Sequence, residues 1–150
     1  IYKDLDRLYP GSKFVLTLRD EEKWYRSVNR HIGDLRSAHH EWIYGRGKGL
    51  PMDDKENTIA VYRKHNEEVK AYFKDRPDDF IIIDFTAGES WEKLCPFLDK
   101  PKPEKSLPHY NKTNWNKKQE PRANSFKLMR KRFKNAVKIW YIDQRGWWEK

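Results

Sequence analysis

The chain has 150 residues, of which 37% are hydrophobic, 37% charged and 15% aromatic, and 32 Lys and Arg against 23 Asp and Glu leave a net charge of +9. That length suits one domain, and the apolar and aromatic content suffices for a packed core, which excludes a fully disordered chain. No apolar run exceeds four residues, the length of Phe80–Ile83, far too short to span a bilayer as a helix, and the single cysteine, Cys95, excludes an internal disulfide framework and a cysteine-built zinc site.

From the N-terminus, Tyr2, Leu5, Leu8 and Tyr9 fall at helical spacing, and Pro10-Gly11 ends the pattern. Lys13–Leu18 is short, apolar and β-branched, the pattern of a strand buried in a parallel sheet. Asp20 is placed to cap a following helix through Trp24, Tyr25 and Val28. Residues 31–54 read as irregular, with Gly45-Arg-Gly47-Lys-Gly49 as a mobile loop. A long amphipathic helix is expected from Asn57 to about Lys74, and a second buried strand over Phe80–Phe85. Ser90 caps a short helix carrying Trp91, Leu94 and Leu98. Alternating helices and strands of this kind give an α/β fold, a three-layer αβα arrangement around a parallel sheet.

The charge is unevenly spread. Residues 1–111 hold 20 basic and 20 acidic side chains, whereas residues 112–150 hold 12 basic and 3 acidic, so the entire +9 lies in the last stretch. This predicts a body over 1–111 and a basic, aromatic-rich extension over 112–150, with Pro101, Pro103 and Pro108 stiffening the approach. From Ser125, Phe126, Met129, Phe133, Val137 and Trp140 recur at three- and four-residue steps, with lysines and arginines filling the gaps. That is a basic amphipathic helix. Such a helix either packs its aromatic face on the body or offers residues 125–140 to an anionic membrane, a nucleic acid or a protein partner. The extension could also draw in a polyanionic ligand by long-range attraction.

Arg19 is the residue most suggestive of chemistry. Ligands of open α/β sheets bind beyond the carboxyl ends of the strands, and Arg19 follows the first strand directly. Ser27 lies eight residues on, two turns into the next helix. A guanidinium and a hydroxyl so placed can hold a phosphate, but spacing alone favours a surface ion pair for Arg19.

Other polar residues read more plainly. His39-His40 beside Glu41 reads as a solvent-exposed pair rather than an acid–base couple, and His65 as a residue packed on a helix surface. Asp84 at the second strand end either binds a polar group or caps the next turn. Cys95, between Leu94 and Phe97, reads as a buried core thiol. No cluster has metal-ligand spacing, so no metal is expected.

The stretch from Tyr9 to Asp20, with Lys23-Trp-Tyr-Arg-Ser27-Val after it, resembles the 3′-phosphate-binding segment of sulfotransferases that use 3′-phosphoadenosine 5′-phosphosulfate (PAPS). Asp79–Phe85 and Ser90–Pro101 resemble that family's late strand and the helix after it, and Pro108–Asn111 resembles one of its branches. The resemblance covers about residues 2–111. It implies a partial P-loop-NTPase-like sulfotransferase fold, in which Arg19 and Ser27 hold the donor's 3′-phosphate. The activity it implies is sulfuryl transfer from PAPS to a hydroxyl or amine of a small molecule or glycan. No specific nucleic-acid partner is expected, and the setting is expected to be cytoplasmic. The family's Gly/Ser/Thr-rich phosphosulfate loop has no counterpart here, since Gly45–Gly49 comes after the 3′-phosphate segment and lacks a Gly-Lys-Ser/Thr ending. The chain therefore reads as a fragment or trimmed chain, inactive alone. No general base is assigned, and Asp99 stands where the family often has glycine.

Overall fold

A computed structural model of the chain describes residues 1–33, 35–108 and 125–146, with backbone alone for 125–128. Among these residues it contains six helices and two strands, α1 Tyr2–Leu8, β1 Phe14–Thr17, α2 Glu21–Ile32, α3 Ala38–Tyr44, α4 Lys55–Tyr72, β2 Phe80–Ile83, α5 Trp91–Phe97 and α6 Ser125–Gln144. The two strands form a parallel sheet, as the α/β pattern requires, with Phe14 opposite Phe80 and Thr17 opposite Ile83. Backbone bonds from Phe14 N–H to Asp79 O (2.7 Å) and from Leu18 N–H to Ile83 O (2.9 Å) extend the ladder at both ends.

The chain divides into two compact units, one of Ile1–Asp20 with Arg63–Tyr110 and the other of Glu21–Tyr62 with Asn111–Lys150. The first unit is built on the sheet. Phe73, just past α4, is 1% exposed and stacks on Phe80 at 4.9 Å and against Phe14 at 4.8 Å. Ile83 is fully buried. Each such side chain contributes about 1.5–3 kcal/mol by leaving water. Helix α1 departs from the pattern read off its sequence. Leu5, Leu8 and Tyr9 are exposed, and α1 is held instead through Tyr2, whose ring meets Tyr72 and Phe73, and through Asp6. The Arg76 guanidinium grips both Asp6 oxygens at 2.7 and 2.8 Å while its Nε donates to Asp79.

Helix α5 ends in a tight reversal. Lys100 N–H bonds to Cys95 O and Asp99 N–H to Pro96 O, which is the six-to-one and five-to-two pairing of a Schellman turn. That turn needs a left-handed residue, and Asp99 supplies it at φ 53°. The glycine-like position read at Asp99 thus has a backbone cause. Cys95 is buried, as its sequence context suggested.

The second unit has an order that the sequence did not show. Residues 31–54, read as irregular, contain α3, whose N-cap Ser37 accepts a hydrogen bond from His40 N–H at 3.2 Å. Nor is the glycine loop loose. The carboxylate of Glu41, which has no exposed side-chain surface, accepts from Gly47 N–H and Gly49 N–H and pairs with Arg36 Nε. The loop is wrapped around a buried anion of its own chain. The pairing with Glu41 raises the Arg36 pKa, against the opposing effect of burial. Onward from the loop, Pro51 is fully buried and its carbonyl accepts from Tyr25 OH and Thr58 Oγ1, which fastens the start of α4.

Helix α6 leaves its regularly spaced apolar positions Met129, Phe133, Val137 and Trp140 47–70% exposed. The side that is covered runs through Asn135, Ile139, Ile142 and Asp143. Asn135 Nδ2 donates to Arg36 O at 2.8 Å, and Asp143 pairs with Arg46 at 3.2 Å. Among the described residues no helix is long and apolar enough to cross a membrane.

Candidate functional site

Leu18 N–H closes the last bond of the β1 ladder, so Arg19 is the first residue to leave the sheet at its carboxyl edge. The arginine is half-buried, and its Nε lies out of solvent. A guanidinium positioned by a strand end and partly shielded binds an anion more tightly than one on a flexible surface chain, because less water screens it. Asp20 follows, and α2 begins at Glu21.

Ser27 sits in the second turn of α2, half-buried, on the stretch that also carries Trp24 and Tyr25. Within that unit Trp24 stacks on Tyr62 with ring centroids 4.1 Å apart, and buried Tyr25 is tied to Pro51. Both contacts fix the rotation of α2 and hence the direction in which Ser27 projects. Arg19 belongs to the first compact unit and Ser27 to the second.

Asp84 also lies at the carboxyl edge of the sheet, one residue past β2. The structure favours the capping alternative for it. Its Oδ1 accepts from Thr86 N–H (2.7 Å), Thr86 Oγ1 (2.6 Å) and Ala87 N–H (3.2 Å), which turns the chain and ends the strand before Phe85. Glu89 completes this edge by accepting from Asp84 N–H at 2.6 Å and pairing with Lys93, an arrangement that lowers its pKa.

The remaining candidates separate. His39 is exposed, but His40 is buried, with Nδ1 2.7 Å from Leu35 O, so the expectation of an exposed pair fails for one of the two. The cause is local: the carbonyl of Leu35 satisfies the ring nitrogen and lets the imidazole enter the core. His65 is exposed and edge-on to Tyr2, the surface packing expected of it. His109, Tyr110, Asn111, Trp115, Trp147 and Trp148 lie outside the described residues, as does the side chain of Phe126. Among the described residues no group of His, Cys, Asp and Glu is arranged to hold a metal.

Two features escaped the sequence reading. Glu41 was legible only through its partners, since three glycines at two-residue spacing supply backbone N–H groups able to surround a carboxylate. A cavity of about 550 Å³ in the second unit left no sequence trace at all. Arg36, Arg132 and Asp143 line it together with Leu50, Ile139 and Trp140.

The family described as "Sulfotransferase domain" matches residues 1–48 and 36–115. A protein of Aspergillus versicolor, "Ava biosynthesis cluster protein M", is 26% identical over 133 residues, covering 71% of this chain and 48% of the relative. The chain thus spans about half the length of that curated relative.

Proposed function

This chain belongs to the sulfotransferase domain family, and we propose that it supplies the 3′-phosphate half of a PAPS site in an enzyme that transfers a sulfuryl group to a hydroxyl or amine. The observation that carries the reading is Arg19, half-buried where β1 leaves the sheet, eight residues before Ser27 on α2. When bound, PAPS supplies the activated sulfuryl group. Arg19 offers two parallel N–H donors to a phosphate and Ser27 adds one hydroxyl. Binding energy gained at this end of the nucleotide orients the reacting end and lies away from the bond that breaks.

The fit is one-sided. The glycine loop does not suit the 5′-phosphosulfate, because the N–H groups of Gly47 and Gly49 already serve Glu41. In this reading the P-loop-like part of the fold and the general base belong to other residues of the protein. The relative's name, a biosynthesis cluster protein, fits a small-molecule acceptor made by a biosynthetic route.

Calorimetric titration of this chain with 3′-phosphoadenosine 5′-phosphate, beside 5′-AMP, tests the assignment. The 3′-phosphate should tighten binding at least tenfold, and Arg19→Ala should remove that advantage, a loss of about 2–4 kcal/mol for a shielded charge-assisted contact. Equal, weak and salt-sensitive binding of the two nucleotides would mean that the basic extension collects anions, and the proposal would fall.

A further inference from the structure

Helix α6 carries two stripes. Asn135, Ile139, Ile142 and Asp143 follow the i, i+4, i+7, i+8 spacing of one helix face, and these positions are covered. Phe133, Val137 and Trp140 each stand two residues before Asn135, Ile139 and Ile142, about 160° round the helix from them, and Met129 lies one turn before Phe133 on the same stripe, whose Trp140 end comes round to the rim of the cavity beside Asp143. That second stripe is bare: Met129 is 64% exposed, Phe133 70% and Trp140 61%. Arg130, Lys134 and Lys138 stand one position after Met129, Phe133 and Val137, so a cationic stripe runs along the edge of the apolar one. From Met129 to Gly146 the helix has six cations and one anion, Asp143, which faces Arg46.

We propose that this bare face of α6 docks on an anionic lipid surface, with Phe133 and Trp140 entering the headgroup region and Arg130, Lys134 and Lys138 reaching lipid phosphates and carboxylates. Three observations select this occupant. The covered stripe is held by Asn135 and Asp143, so a partner that wraps the whole helix would break those contacts, whereas a plane meets the exposed stripe without disturbing them. A second copy would bring like charges together beside the apolar stripe. A nucleic acid would use the cations and leave four large apolar side chains idle. Apolar insertion and lipid attraction reinforce each other here, since each cation near a charged membrane adds about 1 kcal/mol, roughly a fivefold gain.

Co-sedimentation of this chain with phosphatidylcholine vesicles, with and without phosphatidylserine, provides the test. Binding should require phosphatidylserine and weaken as salt is raised. Lys134→Gln with Lys138→Gln should lower it about tenfold or more, and Phe133→Ser with Trp140→Ser should do the same. Because all four side chains are exposed, circular dichroism should show every variant folded. Loss in the lysine variant alone would indicate a general polyanion patch, and binding of heparin by the serine variant at full strength would identify it as one. A concentration-dependent dimer abolished by the serine variant would make a second copy the occupant. Either result, or no binding to either vesicle, overturns the proposal.

Discussion

Helices α4 and α6 have nearly the same length, 18 and 20 residues, and both repeat apolar residues every three or four positions. Their fates differ. α4 buries Thr58, Ile59, Asn66 and Val69, and its two halves are fastened by different devices: the Pro51 carbonyl at the start, and Asp6 on Tyr72 at the end. α6 buries Ile139 alone among its apolar residues of known exposure and leaves its regular stripe bare. Periodicity identifies which residues share a face. Which face is covered depends on what the rest of the chain brings to it.

The comparison breaks most sharply under paired truncation. Ile59→Ala should destabilise the protein by about 2–4 kcal/mol, through lost burial and the cavity left behind. Phe133→Ala, a larger deletion on the bare face, should stay within about 0.5 kcal/mol. Urea denaturation of both variants measures the contrast, and a comparable loss from Phe133→Ala would mean that α6 is covered after all.

The loop that leads into α4 provides the next effect. A Cβ at Gly49 would lie 2.5 Å from Glu41 Oε1. Gly49→Ala must therefore loosen the carboxylate or shift the loop, with a cost of about 1–3 kcal/mol. A shift in melting temperature reads it, and no shift would show that the loop yields freely.

Acid tests the other end of α4. Hydrogen bonds from Arg76 and then Tyr72 hold the Asp6 carboxyl at about 2, below its ordinary 3.8. Since the folded-state value is depressed, this contribution is complete above pH 4 and disappears as the pH falls toward 2. Asp6→Asn should flatten that part of the stability profile, measured by thermal melts across the range. An unchanged profile would show that the pairing adds nothing.

The smallest effect lies away from both helices and works through the backbone alone. Asp99 sits at φ 53°, where glycine has no steric penalty, so Asp99→Gly should stabilise the protein by about 1 kcal/mol. The lost pairing with Lys13, at 3.6 Å and largely exposed, offsets little of this. A lower urea midpoint would contradict the turn geometry.

These contrasts explain what could be read in advance. Both strands were legible because short β-branched runs bounded by turn residues have few alternatives, and β2 ended two residues early only because Asp84 folds its own turn. Helices α2, α4 and α5 followed from the spacing of their apolar residues, although Ser90, expected to cap α5, stands at its N-cap with no side-chain capping bond and donates to Glu92 instead. α3 did not, because its seven residues lie among glycines, Pro51 and histidines, and its stability comes from Ser37 and Glu41 rather than from an apolar pattern. On the site, the position of Arg19 at a strand end was legible, as was that of Ser27 within a helix. The burial of His40 was not, since it depends on a single carbonyl five residues away.

The parallel pairing of β1 with β2 also sets an order of events during synthesis. Phe14 finds its partner only after the ribosome has emitted α2, α3, α4 and Phe80. Helices can form from local contacts in that interval, but the sheet must wait for a long loop to close. Until then Phe14–Thr17 lacks its pairing with β2, and an apolar strand without such a partner on a nascent chain is the kind of segment that chaperones bind and that aggregates when they do not.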